Sequence, residues 1–176
     1  MNIQIDTREH AKEVGRIVAY FDRHGIEHFS SKLWVGDYMS LDNPRLVIDR
    51  KKNLAELCSN VSSVPKKNKD GTIKKTGYGR PLTELIRFTN ELERAKAHGI
   101  KVVILCEHGQ GFKTLEDVMK WQNPRLKDSP LAISGQRLYV ILSQIFKKYD
   151  VDFCFCEKRS TGRRIAEILS ANNVHE

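Results

Sequence analysis

Residues 36–51 read Gly-Asp-Tyr-Met-Ser-Leu-Asp-Asn-Pro-Arg-Leu-Val-Ile-Asp-Arg-Lys. A Gly-Asp turn leads into a short apolar run, Leu46, Val47 and Ile48, which ends in Asp49, Arg50 and Lys51. Side chains alternate along a strand, so Asp49 and Lys51 share one face and Arg50 points to the other. With Asp37 at the mouth of the same hairpin, two carboxylates and one ammonium converge. That set of groups suits phosphodiester cleavage. Carboxylate oxygens are hard ligands for Mg²⁺ or Mn²⁺, which can polarise a phosphoryl group and activate a water. The lysine can stabilise developing charge or position the nucleophile. Spacing alone leaves a second reading open, in which the Asp-x-Lys end is a strand running out into solvent.

The neighbouring elements must bring these groups together. Ile3 and Ile5 alternate with polar residues in a first strand that delivers Asp6 at its end. Residues 11–24 carry Val14, Ile17, Val18 and Phe21 at helical spacing, and His24-Gly25 is a helix stop. Phe29, Ser31, Leu33 and Val35 alternate as a second strand running into Gly36-Asp37. Asn43-Pro44 marks a turn before a strand over residues 45–51. This arrangement places Asp6, Asp37 and Asp49 near one end of a sheet.

Further along, residues 53–61 form a short helix with Leu54 and Leu57 inward. Residues 62–81 contain Lys66, Lys67, Lys69, Lys74, Lys75 and Arg80 against a single acid, Asp70, with three glycines and little that is apolar. The composition predicts a long, flexible basic loop with nothing to hold one conformation. Leu82, Leu85, Ile86, Thr89 and Leu92 predict a helix ending at His98-Gly99, and residues 101–106 a strand buried on both faces. Helical spacing recurs at Leu115, Val118 and Met119, and again from Leu138 to Tyr149. A strand over 151–156 and a last helix through Ile165, Ile168 and Leu169 complete the chain. The class is α/β: a central mixed sheet with helices on both faces, in a single domain over residues 1–176.

The 176 residues carry a net charge of +8, which points to a polyanionic partner, with nucleic acid the leading candidate. The four cysteines, Cys58, Cys106, Cys154 and Cys156, have no zinc-site spacing and read as reduced thiols. Among the histidines, His10, His24, His28, His98, His108 and His175 show no ligand spacing. Gly109-Gln110-Gly111 is too short and wrongly placed for a nucleotide-binding loop. No apolar run reaches transmembrane length and no signal peptide is visible, so an intracellular location, cytoplasm or nucleoid, is expected. Trp34 and Trp121 read as core residues.

The stretch from Gly36 to Lys51 resembles the Gly-Asp … Glu-Arg-Lys signature of the XPF family of structure-specific DNA endonucleases, members of the restriction-endonuclease-like superfamily. Ile5-Asp6-Thr7-Arg8-Glu9 is similar to that family's Val-Asp-x-Arg-Glu, at a similar distance from the Gly-Asp turn. The resemblance implies a restriction-endonuclease-like fold and a metal-dependent DNA endonuclease acting on branched, flapped or junction DNA. It also implies roles. Asp37 and Asp49 would bind Mg²⁺ or Mn²⁺, Lys51 would assist water activation or stabilise charge, and Asp6 and Glu9 would complete the acidic cluster. Arg8 would contact phosphate. Arg50 is either a supporting residue or a structural ion-pair partner. The family pairs through its last helices, so a homodimer is expected, and the wide apolar arc of residues 138–146 agrees.

The sequence departs from the family's pattern in three respects. The acid before Arg-Lys is Asp49 where glutamate is usual. The aspartate expected further on falls on Ala55, with Glu56 one residue later. The tandem helix-hairpin-helix module that often follows this domain is not in the sequence, so another surface or a partner is expected to supply DNA contacts. Lys66, Lys67, Lys74, Lys75 and Arg80 are the candidates. Arg87 and Glu91 are one turn apart and read as an ion pair, and Glu107-His108 reads as the polar start of a loop. Two other classes remain in view: a non-catalytic DNA-binding or partner subunit on the same fold, and a basic α/β domain that binds RNA.

Overall fold

The computed structural model describes residues 1–9, 11–109 and 111–171; of the readings above, those on His10, Gln110 and His175 lie outside these. The chain builds one six-stranded sheet from β1 (Asn2–Ile5), β2 (Glu27–Ser30), β3 (Tyr38–Ser40), β4 (Asn43–Lys51), β5 (Lys101–Cys106) and β6 (Asp152–Phe155). The strand order is β2-β1-β3-β4-β5-β6. β1 pairs with β2 in parallel and with β3 antiparallel, and β3 pairs antiparallel with β4. β4, β5 and β6 run parallel. Parallel neighbours need a crossover. α1 (Ala11–Arg23) supplies one between β1 and β2, α2 (Leu54–Asn60) and α3 (Glu84–Ala97) lie between β4 and β5, and α4 (Gly135–Tyr149) lies between β5 and β6. α5 (Thr161–Ala171) follows β6.

The alternation of β4 and β5 sorts the molecule into two cores. Leu46, Ile48, Val103 and Leu105 face one side, where they pack with Ile3, Ile5, Phe21, Ile165 and Leu169 beneath α1 and α5. Val47, Val102, Ile104 and Cys106 face the other, against Leu54, Leu57, Leu92, Leu138 and Leu142 of α2, α3 and α4. Covering both faces is why β5 reads as a continuous apolar run. Each fully buried leucine or isoleucine contributes about 1.5–3 kcal/mol of transfer free energy. All four cysteines are free; Cys58, Cys106 and Cys156 are buried and Cys154 half-buried. No described helix is long and apolar enough to cross a membrane.

Several expectations need correction. The alternation from Phe29 to Val35 is not one strand: β2 stops at Ser30 and residues 31–37 take an irregular path. Leu33 and Val35 are buried along it without strand pairing, while Trp34 stands 51% exposed instead of in the core. The turn before β4 falls at Leu41-Asp42, and Asn43-Pro44 already belongs to the strand. Leu115, Val118 and Met119 lie in a 3₁₀ segment, Leu115–Lys120, with Met119 exposed.

The basic segment after α2 is also more defined than its composition predicts. Bridges join Pro65 with Thr83, Lys67 with Ile73 and Lys75 with Pro81. Lys66 N–H donates to Leu82 C=O, Leu82 N–H to Lys74 C=O and Lys74 N–H to Lys66 C=O, each at 2.8 Å. Three passes of chain therefore close a ring of backbone hydrogen bonds. The two loops between them turn through Gly71 and Gly79, both at positive φ that glycine adopts without cost. Backbone pairing, which residue composition does not report, holds this knuckle together.

Candidate active site

Gly36 sets the site's geometry. Its φ is +71°, and a Cβ there would stand 3.0 Å from the Ile48 carbonyl oxygen and 3.2 Å from the Val47 side chain. Only glycine fits, and the sharp turn brings Asp37 against β4. Asp37 N–H donates to Ile48 C=O at 2.7 Å, and Asp6 N–H donates to Asp37 C=O at 2.8 Å. The Asp37 carboxylate accepts the Arg50 backbone N–H at 2.8 Å. Asp37 is thereby fixed beside Asp49, whose carboxylate holds Lys51 Nζ at 2.7 Å. Lys51 Nζ also stands 5.6 Å from the centre of the Phe88 ring.

Electrostatics separate the roles of these three groups. Burial works against the Lys51 charge, but Asp49, with Asp37 and Glu56 behind it, raises the Lys51 pKa above its ordinary value. Lys51 is therefore a cation at neutral pH, suited to stabilising charge and not to taking a proton. Burial pushes the Asp37 pKa well above the usual carboxylate range, and the charges of Asp49 and Glu9 push it further; Lys51 and the Arg50 N–H only partly offset them. Such a carboxylate lacks positive charge, and a divalent cation would supply it. Among the described residues no three His, Cys, Asp or Glu side chains converge as a closed cage. A pair of carboxylates fits Mg²⁺, which keeps several of its waters.

The raised pKa predicts a stability effect of definite sign. Folded Asp37 holds its proton more tightly than the unfolded chain does, so the metal-free protein loses stability as pH rises past about 4, the ordinary carboxylate value. Asp37→Asn removes that loss and keeps an acceptor for the Arg50 N–H. At neutral pH in EDTA its Tm is expected to rise above that of the parent protein. Mn²⁺ should raise the Tm of the parent protein and not that of the variant.

Asp6 does not complete the acidic cluster. It is fully buried, with one carboxylate oxygen accepting the backbone N–H and Nε of Arg8, both at 2.7 Å. The other accepts Arg8 Nη2 at 3.1 Å and Leu33 N–H at 2.6 Å. Burial opposes its ionisation, yet these bonds hold it below the ordinary range. Asp6 orients Arg8, whose side chain remains more than half exposed.

Glu9, whose charge reaches Asp37, is held by the Arg50 ion network. Its carboxylate meets Arg50 Nη2 at 2.7 Å and accepts the Tyr38 hydroxyl at 3.0 Å. Arg50, on the α1 and α5 side of the sheet, reaches Glu107 at 3.1 Å and Glu13 at 3.3 Å as well. Thr161 Oγ1 donates to the same Glu107 oxygen at 2.8 Å. Glu107 is thus a buried member of an ion network rather than the start of a polar loop. The parallel register that sets Lys51 beside Cys106 puts Glu107 at the same sheet end as Lys51, a placement that needs the strand pairing to see. Glu56 accepts the Lys52 N–H at 2.9 Å, and its own N–H is capped by Asn53, so it closes the start of α2.

A cleft of about 380 Å³ opens over Lys51, with Arg8, Arg87 and Arg94 in its lining. A larger hollow of about 700 Å³, around residues 119–136, is lined by none of the candidate site residues. The expected Arg87–Glu91 pair is corrected: Arg87 meets Glu84 at 3.0 Å, one turn earlier. Lys66 of the knuckle binds the same Glu84 carboxylate, so it is already partnered, whereas Lys67, Lys74, Lys75 and Arg80 are exposed.

Residues 5–166 match the ERCC4 domain. The chain belongs to the ERCC4 domain family. Among solved structures it is similar to XPF from Aeropyrum pernix, at 15% identity and a TM-score of 0.62, covering 99% of this chain and 66% of that one. It is also similar to a complex of XPF from Aeropyrum pernix with DNA, at 14% identity and a TM-score of 0.58, covering 99% and 68%. This ERCC4 domain thus spans about two thirds of the length of those structures and shares their fold, a mixed sheet flanked by helices. No curated protein matches the chain.

Proposed function

We propose that this ERCC4 domain is a metal-dependent DNA endonuclease that cuts branched, flapped or junction DNA. The observation that carries the reading is the pairing of an under-compensated carboxylate, Asp37, with the Asp49–Lys51 ion pair beside a cationic cleft. Asp37 and Asp49 would hold Mg²⁺ or Mn²⁺, which when bound supplies Lewis acidity toward the phosphoryl group and a water of lowered pKa. Lys51 stabilises the charge that grows on the phosphate oxygens. Arg8, braced by Asp6, holds a neighbouring phosphate. Incubation with labelled flap, fork, four-way junction and plain duplex DNA, with Mg²⁺, Mn²⁺ or EDTA, tests this. Metal-dependent cutting of the branched substrates is expected. Intact binding without cutting under any metal replaces the reading with a non-catalytic DNA-binding or partner subunit.

Because Lys66 is occupied by Glu84, the backbone-contacting set becomes Lys67, Lys74, Lys75 and Arg80. Replacing these four by alanine is expected to weaken binding to all DNA shapes alike. Phosphate contacts release counterions, so the slope of log K against log salt should flatten by about 0.9 for each phosphate no longer neutralised. Fluorescence anisotropy across a salt series measures both, and an unchanged slope removes the knuckle from the interface.

The protein also pairs with a second copy through α4 in this reading. Val140 and Phe146 are exposed on that helix, and Phe146 borders a hollow of about 540 Å³ lined by Leu115, Tyr139, Phe153 and Cys154. Light scattering should report a dimer at micromolar concentration, and Phe146→Glu a monomer.

A further inference from the structure

The cleft over Lys51 carries an aromatic surface that phosphate binding alone does not use. Trp34 lines it with an indole 51% exposed, whereas Trp121, the chain's other tryptophan, is 8% exposed in the core. The Trp34 ring leans on His98 at 4.6 Å between centroids and 58° between planes. α3 contributes Arg87, Asn90 and Arg94 to the same lining along with Glu84 and Glu91, so the four cations Arg8, Lys51, Arg87 and Arg94 outnumber the two carboxylates there. The volume, about 380 Å³, falls in the range of small-ligand pockets, roughly 300–1,000 Å³.

We propose that this cleft is a nucleotide subsite that receives one unstacked nucleotide from a single-stranded arm of the DNA. The base stacks on Trp34, and a flanking phosphate lies with Arg94, whereas Arg87 is held by Glu84. Every base has a π-face, so stacking on an indole tolerates any sequence, and a cationic channel beside it follows the backbone. The Asn90 amide both donates and accepts, which suits any base edge. A blunt duplex keeps its bases stacked and offers only phosphates. An unpaired arm offers a base at no unpairing cost, so the subsite favours branched DNA over plain duplex. The substrate class rests on the nuclease reading; the subsite itself does not require cutting.

The test uses the intact protein in EDTA, which withholds the metal that the nuclease reading requires. It is titrated with dye-labelled oligothymidylate of roughly eight nucleotides, within the usual span of a single-strand site, and with a blunt duplex carrying the same number of phosphates. Tryptophan emission and dye anisotropy are read together. The single strand should quench emission and the duplex should not. Trp34→Phe should abolish the quench while keeping most of the affinity, since phenylalanine still stacks. Trp34→Ala should weaken single-strand binding by about 5–100-fold and leave duplex binding within about twofold, in line with the contribution of one stacked base. Anisotropy showing saturated single-strand binding with unaltered emission overturns the subsite, as does an equal loss of both ligands in Trp34→Ala. If Trp34→Ala does not fold, the emission of the parent and of Trp34→Phe decides. A protein that cuts with Mn²⁺ but whose Trp34 stays silent loses the subsite and keeps the nuclease; one that quenches and never cuts does the reverse.

Discussion

Asp49→Ala and Lys51→Ala are each expected to lower DNA cleavage by about 10²–10³-fold or more while DNA affinity changes little. The lower bound is the usual cost of deleting one preorganised electrostatic group. Asp49→Ala acts twice, because it removes a proposed cation ligand and releases Lys51 from the contact at 2.7 Å that fixes its position. Lys51→Ala leaves both carboxylates but deletes the ammonium that faces them. Neither change touches the knuckle or Arg8, where phosphate contacts are expected, so binding should persist. Nor does either disturb the buried Arg50 network, which lies on the opposite face of β4. Single-turnover cleavage of a flap substrate in Mn²⁺, set beside anisotropy in EDTA, separates the two effects. Full activity in both variants removes the carboxylate–lysine assignment, and proportional loss of binding shows that the groups hold DNA rather than cut it.

The division of β4 into a chemical face and a structural face was legible in the residue order alone, because a strand's period of two leaves no freedom in which side Asp49, Arg50 and Lys51 take. The apolar run of β5 and the stripe of α4 were legible for the same reason: burial repeats at a fixed period. The route from β2 to Asp37 was not. Phe29, Ser31, Leu33 and Val35 alternate as a strand would, yet the Asp6 carboxylate captures the Leu33 N–H and Gly36 turns at positive φ. The first of these is a contact across 27 residues that no local pattern encodes. The same limit hid the role of Asp6. As a strand-end carboxylate it looked like part of the acidic cluster, but its oxygens are taken by Arg8 and Leu33. The knuckle shows the converse, since lysine and glycine content describes its charge while its backbone ring depends on residues eight and sixteen apart meeting in space. Arg87 had acids at both i−3 and i+4, and Glu84, which also holds Lys66, is the one it meets.

Arg50→Met is expected to destabilise the fold by about 3–5 kcal/mol, the usual cost of breaking a buried charge pair by removing one partner. For a domain of this size that is a Tm lower by about 6–20 °C. The Arg50 side chain is only 2% exposed, and so is that of Glu107. Methionine fills much of the volume but leaves Glu9 and Glu107 without their counter-charge. Glu107 already has one carboxylate oxygen, Oε2, buried and without a hydrogen-bond partner among the described residues. In the variant both acids stay buried without the cation that faces them. The backbone N–H of Arg50 still reaches Asp37, so the loss is one of charge compensation and not of the turn. Adding Glu107→Gln to Arg50→Met should recover part of the Tm, because the amide needs no counter-charge. Thermal melts of the single and double variants at neutral pH read the loss and its partial recovery. Because the network joins α1, β4, the end of β5 and the first residue of α5, its loss should loosen those elements together. A single variant that melts within about 1 °C of the parent at neutral pH would show that Glu9 and Glu107 tolerate burial without Arg50, and would leave the fold to the apolar cores alone.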